Sequence, residues 1–340
     1  MMARIDGLLN LLYRTLRLYY ANRSIRAWGR LLAYPIREIL GFSSPRFATI
    51  GLTYKCECAC DHCYLDASKK AAREPLSTRE VESVIDQARN LGTLEVIFSG
   101  GDPLLRQDIA QLVRHAHDAG MLTRINTNGL NLSRAMVSRL KAAGLTQCAV
   151  SIDDADPDAH DRSRRLPGLH RQALSGIRNL RESGILCQIV TLASKTTSTT
   201  DLERVIALGR SLGALSVYLC FPIAVGGWED AAGQILTEDE MTGVRALQDA
   251  AFVHLELSNA SASCPACARE ILYVSPEGDV TPCPFVPYVM GNIKKQSLKE
   301  LWRRHTAKLN FTCRGSCPLN HPRWREALRR HSESVAKSKG

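Results

Sequence analysis

From Phe47 onward, short apolar runs alternate with stretches whose apolar residues return every three or four positions. The runs are FATIGLT (47–53), LEVIFSG (94–100), LTRINTN (122–128), CAVSID (148–153), ILCQIVTL (185–192) and LSVYLCFP (215–222). Nearly continuous apolarity over so few residues marks strands buried on both faces of a parallel sheet. The stretches between them predict helices, for example 77–91 opening at Ser77-Thr78-Arg79-Glu80 and 201–212 opening near Thr200. Six such units, at ~30 residues per unit, fill the span from Phe47 to the end of the last run. The fold class this predicts is α/β: a partial (β/α)6 TIM-like barrel, with a doubly wound sheet as the compatible alternative. Either fold puts its active site at the carboxyl ends of the strands.

The flanks read differently. Over residues 5–42, Leu8, Leu9, Leu12, Leu16 and Tyr19 recur at helical spacing, interleaved with Arg14, Arg17, Arg23, Arg26 and Arg30. Tyr13, Tyr20, Trp28 and Tyr34 add amphipathic rings. One or two basic amphipathic helices are expected there. They suit a helix packed across one end of a barrel, and equally one lying on a membrane surface. Beyond Gly226-Gly227 the strand–helix alternation stops. A helix over 237–250, a hairpin-like ILYVSPEGDVTPC (271–283) and a helix over 297–308 follow, with CPAC (264–267) and CRGSC (313–317) among them. The expected organisation is an N-terminal helical segment (1–45), the barrel (46–227), a connecting helical region (228–262), a cysteine-bearing module (263–320) and a basic tail (321–340).

Composition narrows the setting. A chain of 340 residues, 45% hydrophobic and 23% charged, has room for a substantial core. No apolar run approaches the roughly 20 residues that span a bilayer. LLNLLYRTL (8–16) is interrupted by Arg14 and lacks a small-residue cleavage site, so it does not read as a signal peptide. A cytoplasmic chain is expected, with peripheral membrane contact through residues 1–42 as a further expectation. In a reducing compartment the twelve cysteines point to metal ligands or core thiols rather than disulfides. The net charge of +10 belongs to the ends: residues 1–45 carry seven arginines against Asp6 and Glu38, a net of +5. Basic ends serve as solvated helix faces or meet acidic lipid headgroups or an anionic substrate. No nucleic-acid partner is expected.

The polar chemistry gathers at strand ends. CECACDHCY (56–64) follows the first run, SGGDP (99–103) ends the second, NTNG (126–129) the third and SIDD (151–154) the fourth. Cys56-x3-Cys60-x2-Cys63 offers three thiolates on one short loop, with Cys58 out of register. A zinc site normally closes a tetrahedron from paired knuckles. Three ligands instead leave a four-iron cluster with one iron free to bind a cofactor or substrate.

That loop, with the aromatic Tyr64 after its last cysteine, resembles the CxxxCxxC signature of the radical S-adenosylmethionine (radical SAM) superfamily. SGGDPLL (99–105) resembles the family's GGEP motif with Asp in place of Glu. The resemblance covers residues 46–227. It implies that Cys56, Cys60 and Cys63 hold a 4Fe–4S cluster whose fourth iron chelates the amino and carboxylate groups of SAM. It further implies an electron donor such as a flavodoxin or ferredoxin. Gly100 and Gly101 would let the backbone approach the methionine ammonium, Asp102 would accept from it, and Pro103 would stiffen the turn. Ser151 and Asp153 are expected to face the same cleft. Asn126 and Asn128 would contact SAM or substrate, or shape the strand-end turn. Arg164, in His160-Asp161-x2-Arg164, would hold the SAM carboxylate with its guanidinium fork or form an ordinary surface ion pair. Cys58 is expected to be a bystander packed behind the loop.

The second cysteine set resembles the SPASM/twitch extension of that superfamily, in its spacing and in MGNIKKQSLKELW (290–302). The cysteines available suit the shorter twitch type with one auxiliary 4Fe–4S cluster. Cys264, Cys283, Cys313 and Cys317 are the expected ligands, with Cys267 able to displace Cys264. A four-cysteine zinc knuckle is the alternative. Cys148, Cys187 and Cys220 read as core thiols, and His115, His117, His170 and His254 receive no role. The activity implied is reductive cleavage of SAM to a 5′-deoxyadenosyl radical that takes hydrogen from a substrate. Peptide-modifying relatives often carry a mixed α/β leader-binding domain at the N-terminus. The 45 residues here look all-helical and too short for one, which favours a small-molecule or lipid-linked substrate. A peptide maturase, or a non-catalytic iron–sulfur or zinc protein, are the alternatives.

Overall fold

The computed structural model describes residues 2–41, 44–65, 74–228, 232–234, 236–249, 251–256, 270–286 and 288–308, with Leu319, Glu326 and Arg330. All six expected strands form: β1 (Phe47–Gly51), β2 (Glu95–Ser99), β3 (Leu122–Thr127), β4 (Gln147–Ser151), β5 (Leu186–Leu192) and β6 (Ser216–Cys220). They pair in parallel and in chain order. Register sets Ile50, Phe98, Ile125, Cys148 and Cys187 in one row across five strands. That row belongs to the main apolar core. It packs beneath α3 (Thr78–Leu91), α4 (Ile109–Asp118), α5 (Arg134–Ala142), α7 (Leu169–Ser183) and α8 (Thr199–Ser211). The short α6 (Pro157–Arg164) sits at the carboxyl end of β4. Ser77 caps α3 in the box its sequence predicts, with Glu80 answering the Ser77 backbone N–H.

Because side chains alternate along a strand, the other set faces inward. Asn126, Gln147, Ser151, Gln188 and Ser216 make this inner wall polar. Cys220 falls on it too and is partly exposed, so it is not the core thiol expected. Cys148 and Cys187 are core thiols as read.

The sheet is wider than six strands. The connecting region expected to be helical contains α9 (Glu238–Ala246) but also β7 (Val253–Leu255), which pairs in parallel with β6. The hairpin forms as β8 (Ile271–Val274) and β9 (Asp279–Thr281), and β8 pairs in parallel with β1. A two-residue β10 (Gly291–Asn292) completes the order β10-β9-β8-β1-β2-β3-β4-β5-β6-β7. The added strands cover edges that would otherwise stay unpaired. Leu272, Val274 and Val280, with Leu298, Leu301 and Trp302 of α10 (Leu298–Lys308), join the barrel's own core.

The N-terminal segment forms α1 (Met2–Asn22) and α2 (Ile25–Ile39), broken at Arg23, whose φ is 58°. Both dock across the amino end of the barrel. Asn22 Nδ2 donates to Met121 O (3.2 Å) and Thr146 Oγ1 (2.8 Å), and Tyr19 is buried against Leu122 and Trp28. Among the described residues no helix is long and apolar enough to cross a membrane.

Candidate active site

The cysteine loop leaves β1 and is held from three sides. On one side, Gly101 N donates to Thr53 O (2.7 Å) and Asp102 N to Lys55 O (2.8 Å). A Cβ on Gly100 would lie 2.4 Å from Thr53 O, and one on Gly101 2.0 Å from Lys55 O. These glycines therefore let the end of β2 touch the cysteine loop itself, a nearer task than the approach to methionine expected of them. On the opposite side, Gly227 N donates to Cys63 O (2.8 Å). A Cβ on Gly226 would lie 2.2 Å from Cys63 O, and one on Gly227 2.0 Å from Asp61 O. From α6, Arg164 O accepts from Ala59 N at 3.2 Å.

Cys56, Cys60 and Cys63 form no disulfide and are partly exposed, and Cys58 is buried. Cys58 is buried next to both Cys56 and Cys60. The neighbouring Cys58 thiol lowers Cys56 to about 6 and Cys60 to about 7, toward the thiolate that binds metal. Asn128 Nδ2 lies 3.8 Å from Cys56 Sγ, and Arg164 Nη1 lies 3.9 Å from Cys60 Sγ. Three thiols on one tight loop, two of them facing N–H donors, fit an iron–sulfur cluster, whose potential such donors tune.

Arg164 departs from its expected role. Its Nε and Nη2 donate to Asp153 Oδ2 (2.7 Å) and Oδ1 (2.6 Å), so its fork is filled by Asp153 and not left open for a carboxylate ligand. The pair is mostly buried, not a surface bridge. Burial would raise the Asp153 carboxyl, yet Arg164 and His62 hold it well below the usual carboxylate range. Ser163 Oγ adds a donor at 2.6 Å.

Asp102 departs as well. It is 0% exposed, and its carboxylate accepts from Leu104 N (2.9 Å), Asn128 N (3.0 Å) and Thr127 Oγ1 (2.6 Å). The side chain ties the ends of β2 and β3 together and is closed off from solvent. Pro103 begins the 3-10 turn Pro103–Leu105 that Asp102 caps. Asn128 shapes the turn, its Oδ1 accepting from Leu130 N, while Nδ2 faces Glu57 and Cys56. Ser151 sits partly exposed on the inner wall, and Asn126 Oδ1 is buried there without a partner.

Sequence reasoning missed several residues. Glu57, inside the cysteine motif, accepts from Asn128 and Asn131. Trp228 sets its ring edge-on to His62, and Phe285 does so to Tyr64. Gly226-Gly227 was visible in the sequence, but only as the end of the alternation. Phe285 comes from just past Cys283, so the C-terminal segment reaches the cysteine loop; Val286 and Leu319 cluster with Ile223 beside it. Cys283 is buried after β9, with its carbonyl accepting from Thr281 Oγ1 at 2.8 Å. Cys264, Cys267, Cys313 and Cys317 lie outside the described residues.

A thiolate loop gripped at the carboxyl mouth of a parallel partial barrel defines an iron–sulfur enzyme. Residues 50–208 match the family described as the radical SAM superfamily, and residues 264–324 match the SPASM iron–sulfur cluster-binding domain. The chain belongs to the radical SAM superfamily and carries a C-terminal SPASM domain. Its cofactors are a 4Fe–4S cluster, SAM and an auxiliary iron–sulfur cluster, so the alternatives of a zinc knuckle and a non-catalytic protein fall away. The chain is 29% identical over 290 residues to an AdoMet-dependent heme synthase of Methanosarcina barkeri, covering 76% of this chain and 82% of that one. It is 28% identical over 309 residues to a PqqA peptide cyclase of Xanthomonas campestris, covering 82% and 81%. In fold it is similar to Streptococcus suis SuiB bound to S-adenosylmethionine (TM-score 0.68, 17% identity, covering 84% of this chain and 76% of that one). It is also similar to anSMEcpe with bound AdoMet and Kp18Cys peptide (TM-score 0.63, 14% identity, covering 86% and 98%).

Proposed function

We propose that this radical SAM enzyme takes a hydrogen atom from a small-molecule or lipid-linked substrate whose reacting part sits inside the barrel. The observation that carries the reading is the inner wall, which sets polar side chains among Ile97, Ala149 and Val190 and is closed at the amino end. Its floor is the Arg124–Glu95 ion pair (2.6 Å), with Tyr19 of α1 buried close to Glu95. Higher up, Asn126 Oδ1 lacks a partner, which a substrate N–H or O–H would supply. A lumen sealed below admits a compact group through the mouth, where the cysteine loop lies.

Cys56, Cys60 and Cys63 are the residues that would ligate the core cluster, and Cys283 with three of Cys264, Cys267, Cys313 and Cys317 the auxiliary one. When bound and reduced by a flavodoxin- or ferredoxin-like donor, the core cluster supplies the electron that cleaves SAM into methionine and a 5′-deoxyadenosyl radical, and the auxiliary cluster offers an acceptor for the electron left on the substrate. Asn128 and Arg164 donate toward the cysteine sulfurs, and the walls keep water from the substrate radical. A second reading, peptide modification, draws on the similarity to the PqqA peptide cyclase across 82% of this chain.

The test is anaerobic turnover with dithionite, SAM and deuterated candidates from two panels, tetrapyrrole or lipid-linked small molecules and short peptides. Deuterium in 5′-deoxyadenosine from the first panel, lowered by Asn126→Ala, supports the proposal. Transfer from peptides alone would replace it with the second reading.

A further inference from the structure

The amphipathic helix α2 docks with its polar face inward. Arg26 Nη1 donates to Asp118 O (2.8 Å), Arg30 Nη2 to Arg89 O (3.1 Å) and Thr93 O (2.6 Å), and Arg37 Nη2 to Leu91 O (3.1 Å). These acceptors lie at and just beyond the carboxyl ends of α3 and α4, where carbonyls lack helical partners and cations are favoured. Fixing three arginines there leaves the opposite stripe in solvent: Ile25, Leu32, Ile36 and Ile39, spaced as one helix face. Ile25 is 89% exposed and Ile39 84%. On α1, Tyr13, Leu16 and Tyr20 are exposed as well. Apart from Leu105, every large apolar side chain exposed among the described residues falls within residues 12–40. An apolar patch so confined marks a contact surface.

We propose that the outer face of α1 and α2 docks onto an anionic membrane surface. Charge chooses this occupant over a second copy of the chain. Arg26, Arg30 and Arg37 are turned inward, but Arg17 and Arg23 stay exposed and flank the apolar stripe. Two such faces would repel one another, whereas anionic headgroups neutralise them. Tyr13 and Tyr20, ring apolar and hydroxyl polar, suit the headgroup level. Arg17 lies over the Tyr13 ring, 5.7 Å from its centroid. The face covers the amino end of the barrel, opposite the cysteine loop. Docking there leaves the mouth turned away from the bilayer, so this surface locates the enzyme and, of the two substrate classes proposed above, favours the small molecule.

The experiment is flotation of the full-length, cluster-loaded enzyme with vesicles of phosphatidylcholine alone or mixed with phosphatidylglycerol, alongside light scattering of the free protein. Wild type is expected to float with the anionic vesicles and to be released by high salt. Ile36→Asp/Ile39→Asp is expected to abolish flotation while iron content and circular dichroism stay unchanged. Arg17→Gln/Arg23→Gln should weaken binding about thirtyfold, from the worth of two surface arginines. Wild type that stays unbound, or Ile36→Asp/Ile39→Asp that still floats, overturns the proposal. So does a wild-type dimer that Ile36→Asp/Ile39→Asp dissociates, which would make a second copy the occupant.

Discussion

Arg164 and Asp153 meet at two points, with Nε–Oδ2 at 2.7 Å and Nη2–Oδ1 at 2.6 Å, while the third guanidinium nitrogen faces Cys60 Sγ. The same residue's carbonyl takes the N–H of Ala59. One arginine thus joins the end of β4, the end of α6 and the cysteine loop. Removing it leaves a buried carboxylate with only Ser163 and His62 beside it, so Arg164→Ala should cost about 3–5 kcal/mol. Arg164→Ala/Asp153→Ala should be less destabilised than Arg164→Ala alone, because no charge is stranded. Urea melts of the two variants check this. Equal losses would mean that Arg164 acts through its backbone and packing alone.

The glycine clasp makes a separate prediction. Gly101→Ala and Gly227→Ala each drive a methyl to 2.0 Å from a backbone oxygen of the cysteine segment, so the loop must shift. Each should lose about 1–3 kcal/mol of stability and part of its iron. Gly29→Ala, in α2 with nothing within 4 Å, should instead stabilise the chain by about 0.5–1 kcal/mol. Iron assays and thermal melts on the three variants separate crowding at the loop from a general effect of alanine.

Asp102 supplies the pH dependence. Burial pushes its carboxyl from 3.8 up to about 7 in the folded state. Between those values the native chain keeps a proton that the unfolded chain has lost. Stability from this group is therefore full below the lower value and falls as pH climbs through the upper one. Urea midpoints at roughly pH 5 and pH 8 should show that loss in wild type and a flatter profile in Asp102→Asn. The amide variant starts lower, because one of the two backbone donors loses its acceptor. Asp102→Glu, which restores the superfamily's usual residue, adds a methylene where no space is exposed and should cost about 1–3 kcal/mol. A stabilised Glu variant would show that this carboxylate can turn into the cleft.

How much of this was legible follows from the range of each interaction. Six strands and the Ser77–Glu80 cap were readable because alternation and capping are local. β7 is three residues long, too short for a period to show. The pairing of β8 with β1 joins segments more than two hundred residues apart, which no window along the chain can see. For α2 the period gave an amphipathic helix but not which face docks. The carbonyls that draw in Arg26, Arg30 and Arg37 exist only once α3 and α4 end where they do. At the site, spacing identified Cys56, Cys60 and Cys63. The partners of Arg164 and Asp102 depended on which strand ends meet, and the likeness to a motif pointed both toward SAM when the fold had turned both toward the protein.

Cysteine substitution gives the sharpest reading of the metal sites. Cys58 is buried beside Cys56 and Cys60, yet it is out of the CxxxCxxC register. Cys58→Ala should keep the iron of wild type, about eight per chain after anaerobic reconstitution if both clusters are 4Fe–4S. Cys56→Ala/Cys60→Ala/Cys63→Ala should fall to about four, leaving the auxiliary cluster alone. Cys283→Ala should lose the other set while SAM cleavage to 5′-deoxyadenosine persists, because the core loop is untouched. Within CPAC, only one of Cys264→Ala and Cys267→Ala should match the Cys283 loss if a single cluster sits there. Equal iron losses from both would require both thiols as ligands. Loss of iron in Cys58→Ala equal to that of Cys56→Ala would make Cys58 a partner of the core site instead of a neighbour to it.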